Sequence, residues 1–480
     1  MGPPTEGVVG EAGGRAVSDA REPLWSGRFS ESPAPEAYAL GRSLPVDVRL
    51  AAQDVDASVA HVRALEDAEL LSREDAAELE EALAEVGLAI ADGTFVFDDA
   101  DEDIHSAIER GVTEKLGDLG ARLHAGRSRN DLVVTDVRLW VLGAGRRISG
   151  LTTMLVRTLV SIAREHAETV VPGTTHARLA QPVTLGHHLL AHAWALLRDV
   201  DRLDQWSVRT STSPLGAGAI ATSTLPLDPE STASRLGFLR AFDNSIDAVS
   251  DRDFALEFLA DTAILSIHLS RLAADLMRFS DESLGWAELD EGHSTGSSMM
   301  PHKRNPDTAE LSRAKAARVV ADFGALASVV HGLPLGYHRD LQEDKEPVFD
   351  AADTLGVVLP ALIGAVERLR FQPDVMRRAA EQPELFTTDL AEALVKQGVP
   401  FREAHRRTGQ LLRRLEDEKR TLRDLDQGEW VDFGVPDGAT FLDPDRSVRA
   451  HTTAGGPSPG SVRNQIVRIE NALARRQPSH

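Results

Sequence analysis

Between Asp251 and Ser280, Phe258, Leu265, Leu272 and Phe279 recur every seven residues, with Phe254, Leu269 and Leu276 beside them and Arg271, Asp275 and Arg278 off the stripe. An apolar seam of that period is stable only when other long helices cover it. The chain supplies them. Helical spacing predicts further stretches over about 131–168, 185–210, 307–331 and 345–369, giving a set of five with few strand signals between them. The predicted fold class is therefore all-α.

On either side of this set the helices are shorter. Val55, Val59, Val62 and Leu65 fall on one helical face, and Ser72-Arg-Glu-Asp75 reads as a capping box that opens a second helix through Leu83. After Pro373 a helix over 389–396 is separated by Gly398-Val-Pro400 from another starting near Phe401, and Gly455 to Gly460 is a loop. The expected organisation is a disordered leader over 1–22, rich in Gly, Pro, Ala and Glu, then an N-terminal helical domain over 23–126. A central long-helix domain over 127–375 and a small C-terminal helical domain over 376–480 complete it.

Charge and composition exclude several kinds of function. A net charge of −23 argues against a general nucleic-acid or anionic-membrane surface, so an anionic substrate must meet a locally basic pocket. The longest apolar run, Leu355 to Val366, is too short to cross a bilayer and contains Pro360. Without cysteine there are no disulfides, thiolate nucleophiles or zinc-thiolate sites, which suits a reducing cytosol. The first residues lack the basic start and apolar core of a secretory signal, and Pro3 and Glu6 break the myristoylation pattern. The expected location is cytoplasmic.

The stretch with most chemical potential is Glu291 to Asp307, EGHSTGSSMMPHKRNPD. Gly and small hydroxyl residues favour a mobile loop, and Pro301 and Pro306 bracket a cation and an amide. It reads either as a Gly/Ser surface loop or as a catalytic lid carrying a proton-transfer group, Ser297, a point cation, Lys303, and an amide donor, Asn305. Gly216-Ala-Gly218 contains GxG, but it neither follows a strand nor completes GxGxxG, so a dinucleotide reading is very weak. No histidine and carboxylate spacing suggests a metal.

GSSMMPHKRNP resembles the signature loop of the fumarase/aspartase superfamily, whose members eliminate fumarate from substituted succinates. EDIHSAIER at Glu102 to Arg110, AGRSRNDLVVTDVRLW at Ala125 to Trp140 and DLQEDKEPVFD at Asp340 to Asp350 are similar to segments of its argininosuccinate lyase branch. The resemblance runs from about Leu24 to the C-terminus. It implies that the five long helices form a central bundle, that four subunits join through it into a twenty-helix core, and that the homotetramer shares its active sites between subunits. It also implies a cofactor-free, reversible anti elimination of argininosuccinate to arginine and fumarate.

Such a reaction needs a base for the carbon-bound proton, a clamp for the charge that develops on the carboxylate, and an acid for the leaving nitrogen. By resemblance the base is Ser297, activated by Lys303, backbone N–H groups and exclusion of water. The clamp combines Lys303 and Asn305 with Ser128, Arg129 and Asn130, although an SRN triplet by itself also reads as a helix start. The acid is His176, with Glu310 as its carboxylate partner and Thr175 as a substrate ligand. The distal end of the substrate falls to Ser43, Asp47, Asp103, His105, Tyr337, Gln342 and Lys345; the bland alternative for Glu343 to Lys345 is a solvated helix start.

Departures from the family pattern are Ala177-Arg178 for Leu-Gln, His302 and Arg304 for Gln and Lys, His338 for Asn, and Ala107-Ile-Glu-Arg110 for Ala-Asn-Glu-Arg. None replaces an expected base, acid or clamp residue. Two alternatives stay open: a lyase releasing fumarate from another N-substituted aspartate, and a non-catalytic, crystallin-like structural relative.

Overall fold

The computed structural model describes residues 34–476, so the expected leader over 1–22 lies outside the described residues. Helices of ten residues or more are numbered in chain order. The first three are α1 (Ala51–Asp67), α2 (Arg73–Ala91) and α3 (Ile104–Leu116), followed by α4 (Arg129–Glu165). An antiparallel hairpin, β1 (Val170–Thr175) and β2 (Arg178–Thr184), leads into α5 (Leu185–Thr210). Then come α6 (Asp253–Phe279), α7 (Asp307–Val330), α8 (Lys345–Arg368), α9 (Thr387–Lys396), α10 (Phe401–Asp417) and α11 (Pro459–Ala474).

The described chain is thus helical, and each of the five long stretches begins and ends within three residues of its expected bounds. Backbone contacts divide it into two compact units. One holds residues up to Trp140 together with Thr212–Asp251 and Pro334–Lys345; the other holds Val141–Ser211, Arg252–Leu333 and the chain from Glu346 onward.

In the first unit α1 packs on α2 and α2 on α3. Val62, Leu65, Leu79, Leu83, Ile104 and Ile108 form the buried side of that layer. The Ser72 hydroxyl caps α2 by accepting the Asp75 N–H at 3.0 Å, and the helix continues to Ala91, a turn or two past the expected Leu83. Ala57, Leu132 and Leu215 form a smaller buried cluster.

In the second unit α6 packs on α7 and α5. All seven residues of its seam, Phe254 to Phe279, are buried, whereas Arg271 is exposed, as the seven-residue repeat requires. The Trp206 indole N–H donates to the Phe254 carbonyl at 2.7 Å, and Gly145 of α4 lies so close under the ring that a methyl group there would sit 2.3 Å from it. A separate cluster around Phe386, Leu390, Leu394, Leu415 and Trp430 closes the C-terminal helices.

Two features differ from the sequence reading. The hairpin over 170–184 was not anticipated, because its register is set by cross-strand bonds and not by any short-range alternation. The helical segment Arg339–Arg368 is long and apolar enough to cross a membrane by length and composition alone, yet 56% of its apolar window is buried inside the protein, the behaviour of a core helix.

Candidate active site

The signature loop belongs to the second unit. An isolated antiparallel bridge, Thr295 N–H to the Asn305 carbonyl at 3.2 Å and Asn305 N–H to the Thr295 carbonyl at 2.8 Å, ties its two ends together. Inside that closure the Ser297 hydroxyl oxygen accepts the backbone N–H groups of Met299, at 3.3 Å, and Met300, at 3.0 Å. The Lys303 N–H donates to the Met300 carbonyl at 3.1 Å and completes the turn. Two N–H dipoles therefore point at the Ser297 oxygen, an arrangement that favours an oxyanion there. Ser297 is half-buried, and Lys303 is exposed on the same loop.

His176 stands at the tip of the β-hairpin. Thr175 pairs with Arg178, so His176 and Ala177 are the two central residues of the turn, both left-handed at φ 53° and 58°. That turn normally takes Asn-Gly, and two residues with Cβ atoms hold it at a cost of order 1–2 kcal/mol each. The strand below is anchored by the Arg278 guanidinium, which donates to Thr174 Oγ1 at 2.8 Å. Glu310 lies in the first turn of α7, and both Glu310 and His176 are exposed. Among the described residues no hydrogen bond or ion pair joins them, so one chain by itself does not make the expected acid–carboxylate pair.

The first unit holds the remaining candidates. Ser43, Asp47, Asp103, His105, Arg129, Asn130, Tyr337, Gln342 and Lys345 line one pocket of about 110 Å³, which has room for roughly three or four waters. These residues come from four distant sequence segments. The Ser43 hydroxyl donates to Asp47 at 2.6 Å and accepts from the Gln342 amide at 3.3 Å; Asp47 also accepts the Ile104 N–H at 3.0 Å. Asp103 caps α3 through a capping box with Ser106 and accepts from Arg129 at 2.9 Å. Lys345, fully buried, reaches Asp344 at 3.1 Å.

Burial and charge set the protonation of this pocket. His105 is buried, which disfavours its charged form, but its Nδ1 lies 2.5 Å from Asp54 and 3.4 Å from Asp136; these carboxylates and Asp103 push its pKa up to about 9. Its Nε2 has no partner among the described residues and belongs to the pocket lining. Asp47 is raised by burial against the pull of His105 and Ser43, whereas Asp103, also penalised by burial, is brought below its ordinary value by His105 and Arg129.

Several participants were not legible in the sequence. Asp54 and Asp136 sit on apolar helical faces where nothing marks them as a histidine's support. Arg339, which donates to Gln342 at 3.0 Å and pairs with Glu102, borders the pocket. Arg129, expected to hold substrate carboxylate, is engaged with Asp103 and Glu102 in this chain.

The weak GxG fragment has a structural use instead. Gly216 and Gly218, both at positive φ, donate their N–H groups to Asp131 Oδ2 at 3.0 and 2.8 Å, and Ser128 N–H donates to Oδ1 at 3.0 Å. Burial pushes the Asp131 carboxyl up to about 6 against those three bonds. The carboxylate thereby fixes the start of α4, where Ser128, Arg129 and Asn130 stand. Asp131→Ala is expected to cost about 3 kcal/mol, because one buried and two part-buried donors lose their acceptor, with Asp131→Asn intermediate. Urea unfolding monitored by circular dichroism checks this; an unchanged midpoint for the alanine variant would contradict it.

Residues 27–321 match the family described as lyase, and residues 384–449 match the argininosuccinate lyase C-terminal domain. The argininosuccinate lyase of Frankia casuarinae is 46% identical over 95% of this chain and 98% of its own length. That of Mycobacteroides abscessus is 46% identical over 92% and 94%. Among solved structures, an EDDS lyase in complex with formate aligns with a TM-score of 0.81 at 26% identity, covering 93% of this chain and 91% of that one. A class II fumarase from Schistosoma mansoni shares the fold alone, with a TM-score of 0.73 at 14% identity over 85% and 92%. Matches of this length and identity, on a chain that carries the signature loop and the pocket described above, establish that it belongs to the argininosuccinate lyase family and is a carbon–nitrogen lyase.

Proposed function

We propose that this protein catalyses the reversible anti elimination of argininosuccinate to L-arginine and fumarate, the last step of arginine biosynthesis, without a cofactor. The observation that carries the reading is the convergence of nine candidate residues on one small polar pocket, the right kind of place for the ammonium and carboxylate of an amino acid. In this reading Ser297, held between two N–H dipoles, removes the proton beside the carboxylate. Lys303 and Asn305, with Ser128, Arg129 and Asn130, hold the charge that develops there. His176, with Glu310 and Thr175, serves the leaving nitrogen. Arg129 exchanges Asp103 for the substrate carboxylate when the site fills.

A homotetramer with shared sites in the cytoplasm completes the proposal. Its support is that each of the five bundle helices leaves a large apolar residue exposed: Met154 on α4, Val208 on α5, Ile267 on α6, Phe323 on α7 and Val357 on α8. The unpaired state of His176 and Glu310 within one chain points the same way.

The test is fumarate release, followed by ultraviolet absorbance, with argininosuccinate, adenylosuccinate, malate and aspartate offered separately. Turnover of argininosuccinate alone is the expected result. Silence on it together with release from another substrate would keep the elimination and move the specificity elsewhere. That second reading, another N-substituted aspartate, is favoured by Ala177-Arg178 in the catalytic hairpin and by His338 beside Tyr337.

A further inference from the structure

The bundle unit contains a second constellation that the elimination does not use. His188 and His192 are four residues apart on α5, hence on one face, and the Nε2 atoms of both lie on a single oxygen of Asp275 from α6, at 2.7 and 2.8 Å. The three donor atoms are within 4.8 Å of one another. The side chains are 32%, 13% and 30% exposed, so the cluster is walled by protein yet reachable from solvent. Phe279 meets the His188 ring edge-on at 5.2 Å and limits its rotation. Burial raises the Asp275 carboxyl, but the bonds from His188 and His192 outweigh that and keep it well below the usual carboxylate range.

We propose that His188, His192 and Asp275 form a binding site for one divalent cation of the zinc, cobalt or nickel class, which joins α5 to α6. Two imidazoles and one carboxylate suit those ions, whereas calcium and magnesium require a shell made largely of oxygen. Three protein ligands on one side leave the solvent side for a water. Ligands about 2.0–2.1 Å from a tetrahedral ion stand about 3.3 Å apart, so the present contacts must open by about half an ångström, a small side-chain rotation at half-exposed positions. Each imidazole binds through its Nε2 lone pair with its hydrogen on Nδ1. Any second proton leaves to solvent, so acid weakens binding.

The probe is Co²⁺ titrated into chelator-treated, full-length protein, read by visible absorption. One equivalent per chain is expected to give the intense bands of four-coordinate cobalt, Zn²⁺ to displace it, and Zn²⁺ to raise the thermal unfolding temperature. The double variant His188→Gln/His192→Gln should lose the bands and the stabilisation, and Asp275→Asn should weaken cobalt binding by at least about tenfold. Should the double variant not fold, His192→Gln alone and Asp275→Asn carry the same test. Absence of the bands from the wild-type protein overturns the proposal. So do bands that persist in the variants, which would assign the ion to Asp54–His105–Asp136 or Asp389–Glu392–His451, the other clusters of comparable spacing among the described residues.

Discussion

Replacing Ser297 with alanine should reduce fumarate release from argininosuccinate by roughly a hundredfold to ten-thousandfold, the range that one proton-transfer group supplies. The reason lies in the loop's own geometry. A serine hydroxyl is ordinarily far too weak an acid to act as a base, and stabilising its deprotonated form takes donors already aimed at the oxygen. Met299 and Met300 supply two of them through the backbone, within a turn that the Thr295–Asn305 bridge closes. Those N–H groups are exposed, so alanine leaves no buried donor unsatisfied and the free energy of unfolding should hold within about 0.5 kcal/mol. Substrate should still bind, because the residues proposed for the clamp and the distal pocket are untouched. Near-normal turnover by Ser297→Ala would sink the assignment of the base.

Mixing two inactive proteins, Ser297→Ala and His176→Asn, should restore about a quarter of wild-type specific activity once subunits have exchanged at equal proportion. The figure follows from random assortment in a symmetric oligomer: a site that takes Ser297 from one subunit and His176 from another has a one-in-four chance of receiving both intact. In a single chain His176 projects from a strained hairpin tip into solvent, and Glu310 is exposed and unpaired with it. A left-handed His-Ala turn is costly in isolation, and a backbone held in that state is the kind of strain retained where a side chain must be aimed. Failure to recover activity despite proven exchange would mean that each site is built within one chain.

Part of the candidate site could be read before the fold. GSSMMPHKRNP supplied the proposed base and cation, and the SRND and QEDKEP segments contain residues, Arg129, Asn130, Gln342 and Lys345, that the structure gathers into one pocket. What those residues do to one another could not be read. Arg129 is bonded to Asp103, a pairing across twenty-six positions that depends on how α3 and α4 begin beside each other. The pKa of His105 is pushed up to about 9 chiefly by Asp54, with Asp103 and Asp136 also facing it in a buried layer, and neither Asp54 nor Asp136 is marked by its local sequence. The GxG fragment became an anchor for Asp131, with no phosphate involved.

The division has a physical cause. A helix is written in the spacing of nearby side chains, because its hydrogen bonds close four residues apart and its buried face repeats every three or four; the seam from Phe254 to Phe279 therefore announced both the helix and its need for partners. By itself the sequence determined five long helices, the segments that resemble the family's and the class of reaction that the family carries out. The tertiary structure alone decided the left-handed turn under His176, the two N–H groups on Ser297, the charge on His105 and the histidine pair on Asp275. The state of His105 rests on burial, where a neighbour's charge counts for more than the residue's own preference, and the other three rest on contacts fixed by the folded backbone.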